Sequence, residues 1–116
     1  MTVDIIRGLQ KPRTTEERHG PRPELKVLGK FAGANVVRIA FAAGEVFPAH
    51  QAARPIIVMG QTGRVRFTAE GETVVLEPGT AVHVEANVPH DLATDEDSTV
   101  TLFVLTDPSY PPIPSE

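Results

Sequence analysis

The chain has 116 residues, a formal net charge of -4, 41% apolar and 22% charged residues, proportions that bound it to one globular domain around one core. Its acidic residues are scattered, so nucleic-acid binding has no electrostatic support, and no apolar run approaches the roughly 20 residues needed to span a bilayer. Cysteine is absent, which excludes disulfides and thiolate metal ligands and makes a cytoplasmic location the expectation.

Residues 1–24 form an N-terminal arm with little periodic apolar pattern. In MTVDIIRGLQKPR the acid comes early and the basic residues late, the wrong order for a secretory leader. Pro12, Gly20, Pro21 and Pro23 interrupt any helix, while Val3, Ile5 and Ile6 suit one short strand or a contact with a partner subunit. His19 reads as a solvated loop residue of this arm.

From Leu25 the apolar pattern becomes that of strands. Leu25 to Leu28 (LKVL) predicts a short one, with a turn over Gly29 to Gly33. Asn35 to Ala42 (NVVRIAFA) places Val37, Ile39 and Phe41 on one face and Val36, Arg38 and Ala40 on the other, as in a strand inside a layered β structure. Arg38 is then either a surface side chain whose head snorkels to water or an anion-binding group on the cavity side.

Pro55 to Met59 (PIIVM) predicts the next strand. Gly63 to Thr68 (GRVRFT) follows with a period of two that turns Val65 and Phe67 inward. Ala69-Glu70-Gly71-Glu72 signals a hairpin into Thr73 to Glu77. Pro78-Gly79 turns into Thr80 to Glu85 (TAVHVE), where Val82 and Val84 share a face and His83 and Glu85 the opposite one. His83 there reads as a surface or interface residue. Asn87 to Pro89 turns into His90 to Thr94, and Ser98 to Leu105 (STVTLFVL) is the last and most apolar strand. Residues 107–116, rich in proline, predict an extended tail. No helix of ordinary length fits anywhere. Many short strands divided by Gly/Pro turns predict an all-β protein of two antiparallel sheets, a sandwich or barrel spanning 25–106.

Two stretches carry the chemistry. In the first, Gly44 is followed after five residues by His50, then Gln51 and Ala52, then after three residues by Ile56 and after six by Gly63. In the second, Gly79, Glu85, Asn87, His90 and Thr94 stand at intervals matching G-x5-P-x-G-x2-H-x3-N, with the Gly and the His retained. The first stretch keeps the spacing of G-x5-H-x-H-x3-4-E-x6-G, with Ala52 at the second His position and Ile56 at the Glu position. With Leu76 to Gly79 (LEPG) and the Pro89-His90 pair, the sequence resembles the cupin superfamily from about Leu25 to Leu105.

The resemblance implies a jelly-roll β-barrel with a cavity lined by His50, Ala52, Ile56, His90 and, on the cavity-side reading, Arg38. It also implies homodimers formed through strands and an exchanged arm. In metal-binding cupins three His and one Glu converge on one ion; here His50 and His90 remain, an incomplete set for a divalent ion such as Zn, Ni, Fe or Mn. Sites for such ions ordinarily supply at least three protein ligands. A third donor would have to come from Glu45, Glu85, His83, His19 or a water network.

Three readings of the pair follow: pocket-lining residues bonded to backbone or water, an incomplete or alternative metal site, or metal-free acid–base chemistry. The last, as in sugar epimerases of the superfamily, also requires a carboxylate and a Tyr, and the sole tyrosine is Tyr110 in the tail. The expected function is therefore binding of a small molecule in the cavity beside a degenerate metal site. The alternative is a metal-dependent oxygenase or isomerase acting on a small organic substrate through His50 and His90.

Overall fold

The computed structural model describes residues 3–14 and 22–106. Alternating apolar residues produce nine strands: β1 (Glu24–Phe31), β2 (Ala34–Phe41), β3 (Val46–His50), β4 (Ile56–Thr62), β5 (Val65–Ala69), β6 (Glu72–Leu76), β7 (Ala81–Val84), β8 (His90–Ala93) and β9 (Ser98–Leu105). They pair antiparallel in two sheets, β1-β2-β9-β4-β7 and β3-β8-β5-β6. No helix occurs among the described residues. The all-β architecture of two antiparallel sheets is the one the sequence predicts, built as a sandwich, with no ladder joining the sheets into a closed barrel among the described residues.

The period of two explains the layers. Val37, Ile39 and Phe41 of β2, Val58 of β4, Val65 and Phe67 of β5, Leu92 of β8 and Val100 of β9 meet between the sheets as one core. The β5–β6 hairpin closes through Glu70 and Gly71, whose φ values of 52° and 80° are both positive, the two-residue turn whose twist matches the flanking strands.

Several elements depart from the predicted limits, β4 among them by running on from Met59 to Thr62. β1 runs on to Phe31, because a bulge at Leu28 absorbs the irregularity between Val27 and Gly29 and the turn shrinks to Ala32-Gly33. The strand β3 lies where periodicity gave none. There Pro48 and Ala49 together oppose Asp91 alone, so alternation breaks inside the strand. Proline is tolerated because β3 is an edge strand and Pro48 sits in its bulge. In the arm, Val3, Ile5 and Ile6 form no strand; Val3 and Ile5 are exposed.

Candidate functional site

Strand register brings the two motif histidines together. His50 ends β3, His90 opens β8, and the two are direct cross-strand partners. Their ring centroids lie 4.4 Å apart with planes at 63°, an edge-to-face contact. Phe47 stacks on His50 at 4.2 Å, and Phe67 on His90 at 5.5 Å. Phe47 and His50 are three residues apart, so regular alternation would send them to opposite faces. The bulge at Pro48 and Ala49 returns them to one side.

Each ring is fixed by its own backbone. His50 Nδ1 lies 2.8 Å from the Pro48 carbonyl oxygen, and His90 Nδ1 lies 2.9 Å from that of Val88. A carbonyl oxygen only accepts, so both Nδ1 atoms carry the proton and donate it. In the neutral rings Nε2 then holds the lone pair, and neither Nε2 has a hydrogen-bond partner among the described residues. Burial holds the His90 pKa below its ordinary value of 6.5, opposed by the Val88 hydrogen bond and reinforced by His50 nearby. His90 is therefore a neutral acceptor at physiological pH.

The pair faces a cavity of about 230 Å³ between the sheets. His50, Ala52, Ile56 and His90 line it, joined by Phe47, Leu92 and Leu102. Its wall is almost wholly apolar apart from the two imidazoles. At Leu25 and Phe47 it adjoins a shallow recess of about 50 Å³ that Arg22 and Pro23 also line.

Arg38 does not join this lining, and it is no snorkelling surface residue either. It lies on the face of β2 opposite Ile39 and is 3% exposed. Its Nη1 donates to the Gly8 carbonyl oxygen at 3.1 Å and its Nη2 stands 3.6 Å from a Glu24 carboxylate oxygen. Arg38 thus fastens the arm to the sheet. The Thr14 hydroxyl, donating to Glu24 at 2.7 Å, is the largest cause holding the Glu24 carboxyl below its usual value, against an opposing effect of burial. Burial of Arg38 was not legible because its partners come from the arm, thirty positions upstream in the case of Gly8.

The other donors suggested by sequence are elsewhere. Glu45 is buried, accepting from the Ala42 amide at 2.7 Å and pairing with Arg13 Nε at 3.3 Å. His83 and Glu85 are exposed on β7 and in the turn after it, lining a separate surface cleft of about 300 Å³ with Glu70 and Glu72. His19 and Tyr110 lie outside the described residues. Among the described residues no three His, Asp or Glu side chains are grouped to hold a metal ion. Two imidazoles facing Ala52 and Ile56 supply neither a third ligand nor a negative charge, so this donor set does not fit a resident divalent cation.

The family model described as a cupin domain matches residues 37–106. The chain belongs to the cupin family. Solved structures, some of them described as cupins, share its fold at low identity. An RmlC-like cupin from Shewanella frigidimarina superposes with a TM-score of 0.70 at 18% identity, over 88% of this chain and 97% of the other. KdgF from a Halomonas species gives 0.67 at 21% identity, over 84% and 96%. The DMSP lyase DddQ from Ruegeria pomeroyi gives 0.69 at 22% identity, over 90% of this chain and 59% of that one. No curated protein matches the chain. At these identities the likeness is one of fold, and a cupin fold hosts many chemistries.

Within this cupin, sequence reasoning missed Phe47, Phe67 and Leu25 as parts of the site. Phe67 was visible as an inward residue of its strand, but its stacking on His90 depends on β5 and β8 being neighbours. Phe47 carried no usable signal, since the bulge that turns it inward interrupts the alternation.

Proposed function

We propose that this cupin binds a small organic molecule in the cavity between its sheets, one with an apolar body and a hydroxyl or N–H group directed at His50 and His90. One observation carries the reading: both imidazoles spend their Nδ1 proton on a backbone carbonyl, leaving two Nε2 acceptors in an otherwise apolar cavity. Polar groups placed sparsely in an apolar wall orient a ligand, while the wall supplies most of the affinity. A dry apolar cavity of about 150 Å³ accommodates benzene, so 230 Å³ suits a body of roughly nine non-hydrogen atoms by the same packing.

Phenol and toluene, equal in size, test this by NMR on the methyl groups of Ile56 and Val58. Phenol is expected to bind saturably and about threefold to tenfold more tightly than toluene, the worth of one net hydrogen bond. His50→Leu should narrow that preference. Absence of saturable binding by either compound would overturn the reading.

The alternative, a metal-dependent oxygenase or isomerase using His50 and His90, is favoured by the same fixed Nδ1 atoms, since anchoring one ring nitrogen is how proteins orient a ligating imidazole. It needs a donor from beyond the described residues. Metal analysis of freshly purified protein decides it: near one Zn, Ni, Fe or Mn per chain supports it. A content far below that, with no thermal shift on adding divalent ions, removes it. We take the working unit to be a homodimer, because Leu25 and Val27 of β1 leave half-exposed apolar side chains on the inward face of the larger sheet.

A further inference from the structure

Where the cavity adjoins the recess at Leu25 and Phe47, the cations outnumber the carboxylates among the described residues. Two carboxylates stand near, Glu24 and Glu45, and both are taken. Arg13 lies 3.3 Å from Glu45 and 3.9 Å from Glu24, and Arg38 lies 3.6 Å from Glu24. Arg22 is the third cation and forms no ion pair among the described residues. Its backbone is held in place: Arg13 Nη2 donates to the Arg22 carbonyl oxygen at 3.4 Å, and the following Pro23 is buried. Among the described residues Arg22 therefore supplies a positive charge with no ion-pair partner at an anchored position, lining the recess that shares Leu25 and Phe47 with the cavity.

We propose that Arg22 is a specificity residue that receives a carboxylate, so that the ligand of this site is a small hydroxy-carboxylate, its hydroxyl on the histidine pair and its acid group at the mouth. The inference rests on the cavity reading above and adds the orientation and class of the ligand. The opposite orientation is unfavourable, since a carboxylate directed at the histidine pair would meet apolar walls and neutral His90 and lose its hydration without a charged partner. At the mouth it keeps part of its water and gains the planar guanidinium fork, which matches a carboxylate's two oxygens. Of the ten non-hydrogen atoms in a compound such as 4-hydroxybenzoate, about seven would fill the cavity and about three project toward Arg22.

The test compares 4-hydroxybenzoate with 4-hydroxybenzamide, which has the same shape without the charge, on the wild-type protein and on Arg22→Gln. The pair 4-hydroxyphenylacetate and its amide, one methylene longer, covers the reach to the mouth. Titration calorimetry is expected to give the wild type a preference of about fivefold or more for the acid of at least one pair. The preference should weaken at high salt and vanish in Arg22→Gln, whose affinity for the amide stays as in the wild type. Arg22 is exposed, so the variant is expected to fold; its thermal unfolding is checked alongside. Equal binding of acid and amide by the wild type, or a preference that survives in Arg22→Gln, overturns the role of Arg22 and leaves the cavity reading standing. Failure of all four compounds to bind also overturns the role of Arg22, and the cavity reading falls with it where phenol and toluene fail as well.

Discussion

His90 concentrates the chemistry of this cupin into one ring. It stacks on Phe67, meets His50 edge-on and donates Nδ1–H to Val88, all at 3% exposure. Its pKa is lowered chiefly by burial, and the sign of the consequence follows from linkage. The folded protein holds His90 neutral at pH values where the unfolded chain, titrating near 6.5, already binds a proton. The stabilisation is thus full above the unfolded value and is lost as pH falls from there toward the depressed folded value. Denaturant unfolding between pH 7.5 and 5 should show stability falling with acidification. His90→Gln should flatten that slope, whatever it does to stability at neutral pH. An unchanged slope in the variant would assign the acid sensitivity to other groups.

At the scale of elements, the strands legible in the sequence were those whose alternation is set locally. β2, β5 and β9 read correctly because each turns an apolar face to the core, and β6 because the β5–β6 hairpin has Glu70-Gly71 to suit its turn. β3 was hidden by Pro48 and by a bulge, yet that irregularity is what puts Phe47 beside His50. The spacing of the two histidines was visible in the motifs, whereas the apolar surround of their pair depends on strand neighbours and could not be. Gly60 shows a constraint of the same kind. It sits in β4 beside a bulge, bridges Pro78 and donates its amide to the Thr80 carbonyl oxygen at 2.9 Å. A Cβ there would collide with the backbone of Glu77, which has no flexible end to move aside. Gly60→Ala should therefore destabilise the protein by about 1–3 kcal/mol, read as a fall in Tm of about 5 °C or more. A variant as stable as the wild type would show that the turn after β6 can shift without cost.

The whole molecule is asymmetric because five strands face four. Leu25 and Val27 pair with Ile39 and Val37 and so share their inward face, yet they are 51% and 52% exposed: β1 extends past the cover of the smaller sheet. Simple edge-to-edge extension through β1 is opposed by the charges of Lys26 and Lys30. A second copy packed face to face over the overhang would instead bury Leu25 and Val27. Sedimentation at micromolar concentration should therefore find a dimer, and Val27→Asp, which places two like charges near the two-fold axis of such an interface, should shift it to monomer with little change in the fold of the chain. A wild-type monomer, or a dimer indifferent to Val27→Asp, would mean the overhang is not the contact. Because Val27 does not line the cavity and Leu25 does, the same variant separates two uses of β1. If 4-hydroxybenzoate binds the Val27→Asp monomer as well as it binds the dimer, each chain carries a complete site. Weaker binding by the monomer would make the second copy part of the mouth.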